Sequence, residues 1–550
     1  MNRRWIRFDV WTLITLGIVA LIAMFLIYPL IILFTDGFRE IGTGNWTLAN
    51  YRTFFSHRFF SRAITNTLQL SAVVTLVSIV LGVPLAYFMS FYKIKGKTIL
   101  EILFIICLMS PAFIGAYSWV ILLGRSGYVT VFMRNVFGIQ TPSIYGFTGM
   151  IIVFTLRLYP FIFMFLSSAF QKIDVSLVEA AEGLGCSGAR RIWNVLMPLV
   201  TPMVVSSGLL VFMMTMADFG TPALIGEGFS VMPTLIFFEF LGETGGSAYF
   251  ASAISTVMVA MTTTLFLVQK WYVNRKSFTM SALRPIQPKK PKGLFAILSH
   301  AYIYILAMLS MIPQAVVIFS SFRNTHRQMF VAGFSLDSYR AVIRTAGTAI
   351  RNTYVYSLIA IIIIVAIGMC IAYLSVRRRN WLTNAIDSAA MLPFVIPGSV
   401  LGITLLVSVG RPPFSLIGTA TILIVALAIR RISFTLRSSS AILYQISPSL
   451  EEAAVSLGDS SIMSFIKVTG RVMIPGVISG AILSWITLIN ELSASVMLHS
   501  AGTRTMAVAI YTEVIRGNHG NAAALGAILT VSTIIAMLIF FKISGKRSIA

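Results

Sequence analysis

Ser176-Leu177-Val178-Glu179-Ala180-Ala181 runs on to Leu184-Gly185, and 273 residues later Ser449-Leu450-Glu451-Glu452-Ala453-Ala454 runs on to Leu457-Gly458. An offset close to half of a 550-residue chain marks an internal repeat. At the same offset Arg157 corresponds to Arg430, Phe161 to Phe434 and Asp218 to Glu491. Nearer the start of each half the offset is larger and the echo persists. Asn66-Thr67 with Gly82, Ala86 and Tyr87 corresponds to Asn352-Thr353 with Gly368, Ala372 and Tyr373, and Pro29 with Phe38-Arg39 to Pro313 with Phe322-Arg323. The change of offset places extra residues in the first half, near Gly124 to Tyr145.

Composition says what is being repeated. Hydrophobic residues make up 57% of the chain and charged residues 11%, too few charges to keep a soluble protein of this length in solution. Trp11 to Phe34 and Thr67 to Tyr92 carry no charge, and Ala301 to Phe322 is similar. Each is long enough to cross ~30 Å of hydrocarbon as a helix, which takes ~20 residues. The alternation of barrel strands is absent, so helices remain as the spanning element. The expected spans are 11–34, 67–92, 99–123, 150–170, 199–217 and 250–272, then 301–322, 354–376, 382–409, 416–436, 476–496 and 522–542. The fold class is an all-α polytopic membrane protein of about twelve spans. Two tandem six-helix domains, 1–273 and 294–550, are joined by a basic linker, 274–293, whose Pro285, Pro288 and Pro291 suit an extended, solvated tether. Six spans per half give both copies one orientation, with a pathway between them.

The net charge of +24 would suggest nucleic acid on a soluble protein. Here the basic residues sit in short loops beside apolar spans, where they orient the chain and meet anionic lipid, and no nucleic-acid partner is expected. With the N-terminus inside, Lys93, Lys95 and Lys97 fall on the cytoplasmic side, as do Lys172, Arg190 and Arg191. The same side takes Arg275, Lys276, Arg284, Lys289, Lys290 and Lys292 of the linker, then Arg377, Arg378 and Arg379, and finally Lys542, Lys546 and Arg547, with both termini. Outer loops hold Arg39, Arg52, Arg58 and Arg62, and Arg323, Arg327, Arg340, Arg344 and Arg351, which either face an external partner or are tolerated. The basic start (Arg3, Arg4, Arg7) precedes an apolar stretch with no small-residue cleavage site, which reads as an uncleaved first helix.

Between spans, Gln171 to Met197 and Tyr444 to Ile474 are polar, charged and helix-prone. Each reads as a short helix, a glycine break and a second helix, with Ser176 or Ser449 as a cap, Pro448 in a first turn, and glycine at the break. Both segments (171–198 and 444–475) resemble the EAA loop of binding-protein-dependent ABC importer permeases. The first copy has Glu179, Ala180, Ala181 and Gly185, then Val195-Leu196-Met197-Pro198. The second has Glu452, Ala453, Ala454 and Gly458, but Gly470-Arg471 stands where the first proline is expected, while Pro475 keeps the second. The fused layout is similar to that of ferric-iron transport permeases. The resemblance implies type I ABC importer transmembrane domains in a bacterial inner membrane. It also implies that each EAA helix docks on one of two copies of a cytoplasmic ATPase, which uses the ATP, while a periplasmic or lipid-anchored binding protein supplies the cargo.

Lys95-Gly96-Lys97-Thr98 ends like a phosphate-binding loop, but Phe91 occupies the position of its first glycine, so this chain binds no nucleotide cofactor there. Arg157, Asp218, Arg430 and Glu491, with Arg431, lie in or near spans. They line or gate the pathway, or else form structural ion pairs. His57, His300, His326, His499 and His519 are scattered, and Cys107, Cys186 and Cys370 show no ligand or disulfide spacing, so no metal site and no catalytic set is expected. Pro111 and Pro393 are candidates to kink their helices. The expected function is an importer permease, not an enzyme, with ferric iron as leading cargo and aminoethylphosphonate, thiamine, sugar phosphate or polyamine as alternatives. A twelve-helix secondary transporter is the rival class, and it gives the paired loops no role.

Overall fold

The computed structural model describes residues 9–40, 42–186, 188–242, 247–276, 284, 286–326, 329–410 and 415–544. Arg3, Arg4, Arg7, Pro285, Arg327, Lys546 and Arg547 lie outside the described residues. The long helices are α1 (Val10–Gly37), α2 (Arg58–Phe91), α3 (Lys97–Met109 with Ala112–Phe137), α4 (Phe147–Gln171), α5 (Ile192–Ala217) and α6 (Ala248–Val273). They continue as α7 (Gly293–Ser321), α8 (Asp337–Arg377), α9 (Trp381–Val395 with Gly398–Val409), α10 (Ala420–Gln445), α11 (Ser461–Ile489) and α12 (His519–Ile543). Among the described residues nine are long and apolar enough to cross a membrane, and the bent pairs α3 and α9 bring the number to eleven. The twelfth passage, α10, is of similar length, but Arg430, Arg431 and Arg437 make it less apolar.

The two bends have the same origin. Pro111 and Pro397 stand at the breaks, each preceded by an extended residue (Ser110, Ile396), because a proline ring disfavours helical backbone before it. The halves of α3 meet at 98° and those of α9 at 112°. Pro393 does not make the second break. It lies in the first turn of the short helix Leu392–Val395, where a missing N–H costs nothing. The extra residues of the first half form the helix Tyr128–Phe137. An antiparallel hairpin of β1 (Arg323–His326) and β2 (Met329–Phe334) follows α7 as an exception to the helical pattern.

Long-range packing divides the chain into two compact units: Met1–Ser56, Ile236–Val259 and Leu336–Ser548 in one, His57–Leu235 and Ala260–Ser335 in the other. Each unit therefore takes its opening helix from the opposite sequence half. In the first unit α1 packs on α8. The Trp11 ring stacks on Tyr373 at 4.2 Å and meets Phe465 edge-on at 5.1 Å, and its Nε1 donates to Ser461 Oγ at 3.1 Å. Asp9 pairs with Arg378 at 2.7 Å. In the second unit α7 takes this place: Tyr302 Oη donates to the Leu81 carbonyl at 2.7 Å, and Ser118 Oγ to that of Pro313 at 2.8 Å.

The repeated Asn-Thr pair does one job in both units. Asn66 Nδ2 donates to the Ser230 carbonyl at 2.9 Å, and Thr67 Oγ1 accepts from Met232 N at 2.9 Å, securing the start of the helix Met232–Leu241. Asn352 Nδ2 donates to the Gly502 carbonyl at 3.0 Å, and Thr353 Oγ1 accepts from Met506 N at 2.6 Å, securing Met506–Ile515. A first-turn amide has no partner within its own helix, so a threonine from a neighbouring helix satisfies it.

Candidate functional site: two loop helices and two ion clusters

The segments Val175–Gly183 and Ser449–Ser456 are short helices, each closed in the same way. In the first, Leu184 N donates to Ala180 O at 3.0 Å and Cys186 N to Ala181 O at 2.9 Å; in the second, Leu457 N donates to Ala453 O at 3.0 Å and Asp459 N to Ala454 O at 3.1 Å. This closure needs a left-handed residue just past the helix. Gly185 (φ +81°) and Gly458 (φ +97°) provide it. The last alanine of each triplet, Ala181 or Ala454, is buried, whereas Glu179, Ala180, Glu452 and Ala453 face outward. Leu184 and Leu457 are 86% and 90% exposed, so each loop presents a leucine tip beside its glycine.

The caps differ from expectation. Asp174 rather than Ser176 caps the first helix, its Oδ1 accepting from Ser176 N at 2.9 Å, the reach of a carboxylate from the capping position. The second follows Pro448, with Ser449 as its first residue. Arg471 in place of the expected proline leaves the exit unchanged. Both loops leave through one π-turn, Ile192–Leu196 and Phe465–Thr469, at the 273-residue offset.

The sequence did not announce what holds the second loop helix. Glu451 accepts from Tyr373 Oη at 3.0 Å, from Thr469 Oγ1 at 2.7 Å and from Arg377 Nε at 3.4 Å. Arg377 also donates to the Ile446 carbonyl at 2.6 Å. The corresponding positions of the first half are Tyr87, Val178, Leu196 and Phe91, so three of the four polar groups are replaced by apolar ones packed in that unit's core. The repeat alignment itself was the available signal: a glutamate, an arginine and a threonine appear together where the other copy is hydrophobic. The first loop helix has instead an ion pair of Glu182 with Arg191.

The intramembrane charges are brought together within each unit. Arg157 reaches Asp218 at 3.3 Å, and Asp218 Oδ1 also accepts from Thr221 N at 2.9 Å. Arg430 and Arg431 converge on Glu491 at 2.9 and 2.6 Å, and Glu491 Oε1 accepts from Ala494 N at 3.2 Å. In both copies a carboxylate at the end of one long helix ties down the next turn and neutralises arginine from another helix. Of the arginines expected in outer loops, Arg39 pairs with Asp36 and Arg340 with Asp337. No group of three metal-ligating side chains occurs among the described residues.

The loop helices share an end of their units with the basic segments. Phe170, at the end of α4, packs on Tyr87 and Phe91 at the end of α2, just before Lys93. Part of the linker lies there too, paired rather than free: Val175 N donates to Arg284 O at 2.9 Å and Arg284 N to Asp174 Oδ2 at 3.1 Å. In the other unit Arg377 and Arg378 stand beside Glu451 and Asp9.

Nine long apolar helices among the described residues, eleven with the two bent pairs, together with a repeated glutamate-alanine-alanine-glycine loop, define the membrane component of a transport system. The chain belongs to the family described as binding-protein-dependent transport system inner membrane component, which matches residues 78–278 and 364–549. It is 29% identical over 550 residues to the ferric transport system permease protein FbpB of Actinobacillus pleuropneumoniae, covering 97% of this chain and 78% of that protein. It is 27% identical over 497 residues to the putative ferric transport system permease protein FbpB 1 of Haemophilus influenzae, covering 89% and 78%. A putative 2-aminoethylphosphonate transport system permease protein PhnV of Salmonella paratyphi A is 28% identical over 240 residues, covering 43% of this chain and 89% of that protein. The chain is therefore a multi-pass inner-membrane permease of the ABC importer type, in tandem type I domains.

Proposed function

We propose that this permease carries ferric iron inward by alternating access, driven by ATP that a separate ATPase hydrolyses. A solute-binding protein delivers the ion, and the chain binds no nucleotide itself. Two ATPase subunits engage it, one at each EAA loop, from the cytoplasmic side, which also holds both termini. The carrying observation is the pair of loop helices with matched glycine closure and bare leucine tips, Leu184 and Leu457, lying with the lysine- and arginine-rich ends. A helix with an exposed apolar tip and an outward carboxylate suits a groove that supplies an apolar pocket and a cation. Rotation of such a lever transmits ATPase closure to the helices it joins. Iron is favoured because the ferric permeases match almost the whole fused chain, whereas the phosphonate permease matches only one half.

The test is reconstitution of the chain with its co-purified ATPase and binding protein in proteoliposomes. Radiolabelled ferric iron is expected to enter only with ATP. Leu184→Arg with Leu457→Arg is expected to release the ATPase and abolish uptake, leaving the permease folded. Uptake in the absence of any ATPase would make the chain a secondary transporter, and ATP-driven uptake of 2-aminoethylphosphonate without iron would reassign the cargo.

A further inference from the structure

We propose that Lys93, Lys95, Lys289, Lys290 and Lys292 form a binding site for the headgroup of an anionic phospholipid of the surrounding bilayer. The two lysine segments are nearly 200 residues apart in sequence and lie side by side in one unit. Lys93 N donates to the Lys289 carbonyl at 2.9 Å, and Lys289 N to the Phe91 carbonyl at 2.9 Å, so that Tyr92 and Lys289 are neighbours in a parallel bridge. All five lysines are exposed, and none has a carboxylate partner among the described residues. The nearby Glu101 is engaged by a sixth lysine, Lys97, at 3.8 Å. Ammonium groups on adjacent strands repel one another. Backbone pairing nevertheless fixes them together, and the arrangement calls for a multivalent anion.

The surroundings say which anion. The cluster sits where α2 ends and α3 and α7 begin. The Tyr92 ring meets Phe295 at 5.0 Å, and Tyr304 Oη donates to the Lys95 carbonyl at 3.0 Å, so aromatic rings with polar tips flank the lysines, the kind of side chain that favours the headgroup level of a bilayer. Immediately along the helices Leu294, Ile297 and Ile99 are 69%, 67% and 65% exposed. Charge at the rim with bare apolar surface below it is the layout of a phospholipid, phosphate above and acyl chains beneath. An acidic protein face would use the lysines alone. The first unit has no such site at the matching loop, where Arg379 and Trp381 replace Lys93 and Lys95.

The full-length chain, purified and examined by native mass spectrometry from mixed phosphatidylglycerol and phosphatidylcholine micelles, tests the assignment. Wild type is expected to retain phosphatidylglycerol over phosphatidylcholine by about ten-fold or more, as expected when several lysines act near a charged surface. Replacing the five lysines by glutamine should bring that ratio close to one with no change in thermal unfolding, and replacing them by arginine should keep it. An unchanged preference in the glutamine variant overturns the proposal, and so does loss of preference in the arginine variant. Displacement of the lipid by equimolar glycerol phosphate would also overturn it, since the site would then serve a free phosphate. Loss of ATPase binding in the glutamine variant with lipid preference intact would assign the lysines to a protein partner instead.

Discussion

Asp218 and Glu491 are equivalents in the repeat, yet Asp218 faces one arginine and Glu491 faces two. The Glu491 side chain is 2% exposed and that of Asp218 13%, so removing charge at the two positions should have unequal consequences. Breaking a buried ion pair strands its partner and costs about 3–5 kcal/mol, while a more hydrated pair gives less, about 1–2 kcal/mol. Glu491→Gln is therefore expected to lower the unfolding temperature in detergent clearly more than Asp218→Asn, a comparison that differential scanning fluorimetry makes directly. Uptake distinguishes a gate from a brace. Asp218→Asn at normal expression should transport as wild type if the carboxylate only ties Arg157 to the turn at Thr221. The five positions could be read in the sequence as costly intramembrane charges. Their pairing could not, because 61 residues separate Arg157 from Asp218 and no periodicity spans that interval.

At the level of elements, the two loop helices have the same shape and are held differently. Glu451, Arg377 and Thr469 act as a polar set where the first half packs Val178, Phe91 and Leu196. Glu451→Val alone should destabilise the protein by about 2–3 kcal/mol, since Arg377 loses its anion in a half-buried place. The triple variant Glu451→Val, Arg377→Phe, Thr469→Leu copies the other half and should recover most of that loss. Thermal unfolding of the single and triple variants measures the recovery, and a triple variant worse than the single would refute the equivalence of the two sites. Gly185→Ala and Gly458→Ala force a side chain into left-handed backbone at about 1–2 kcal/mol each, which should fray the helix ends and weaken ATPase retention in a pull-down. The loops, their glycines and their offset were legible because local chemistry and repetition both mark them. The break at Pro397 rather than Pro393 was not, because either proline suits a kink and only the tertiary path chooses between them.

Across the molecule, the long apolar helices followed from hydropathy: nine of the expected twelve spans meet the length and apolarity of a membrane helix among the described residues, and the two bent pairs bring the number to eleven. The exchange of opening helices did not, because an apolar stretch states that it will be buried and is silent on its neighbour. The grouping of α1 with α8 to α12 carries its own prediction. Residues 1–276 and 277–550, made as two polypeptides in one cell, should copurify, since α1 of one piece packs on helices of the other. Recovery of the two pieces separately would contradict the grouping. The contact between Trp11 and Tyr373 also bears on how the protein is made. Its two sides leave the ribosome more than 300 residues apart, so at ~5–20 residues per second the first helix waits roughly 15–70 s in the bilayer before its partner exists. During that interval its apolar surface has only lipid or an insertion chaperone for company, and assembly of the unit cannot finish until α8 to α12 have been made.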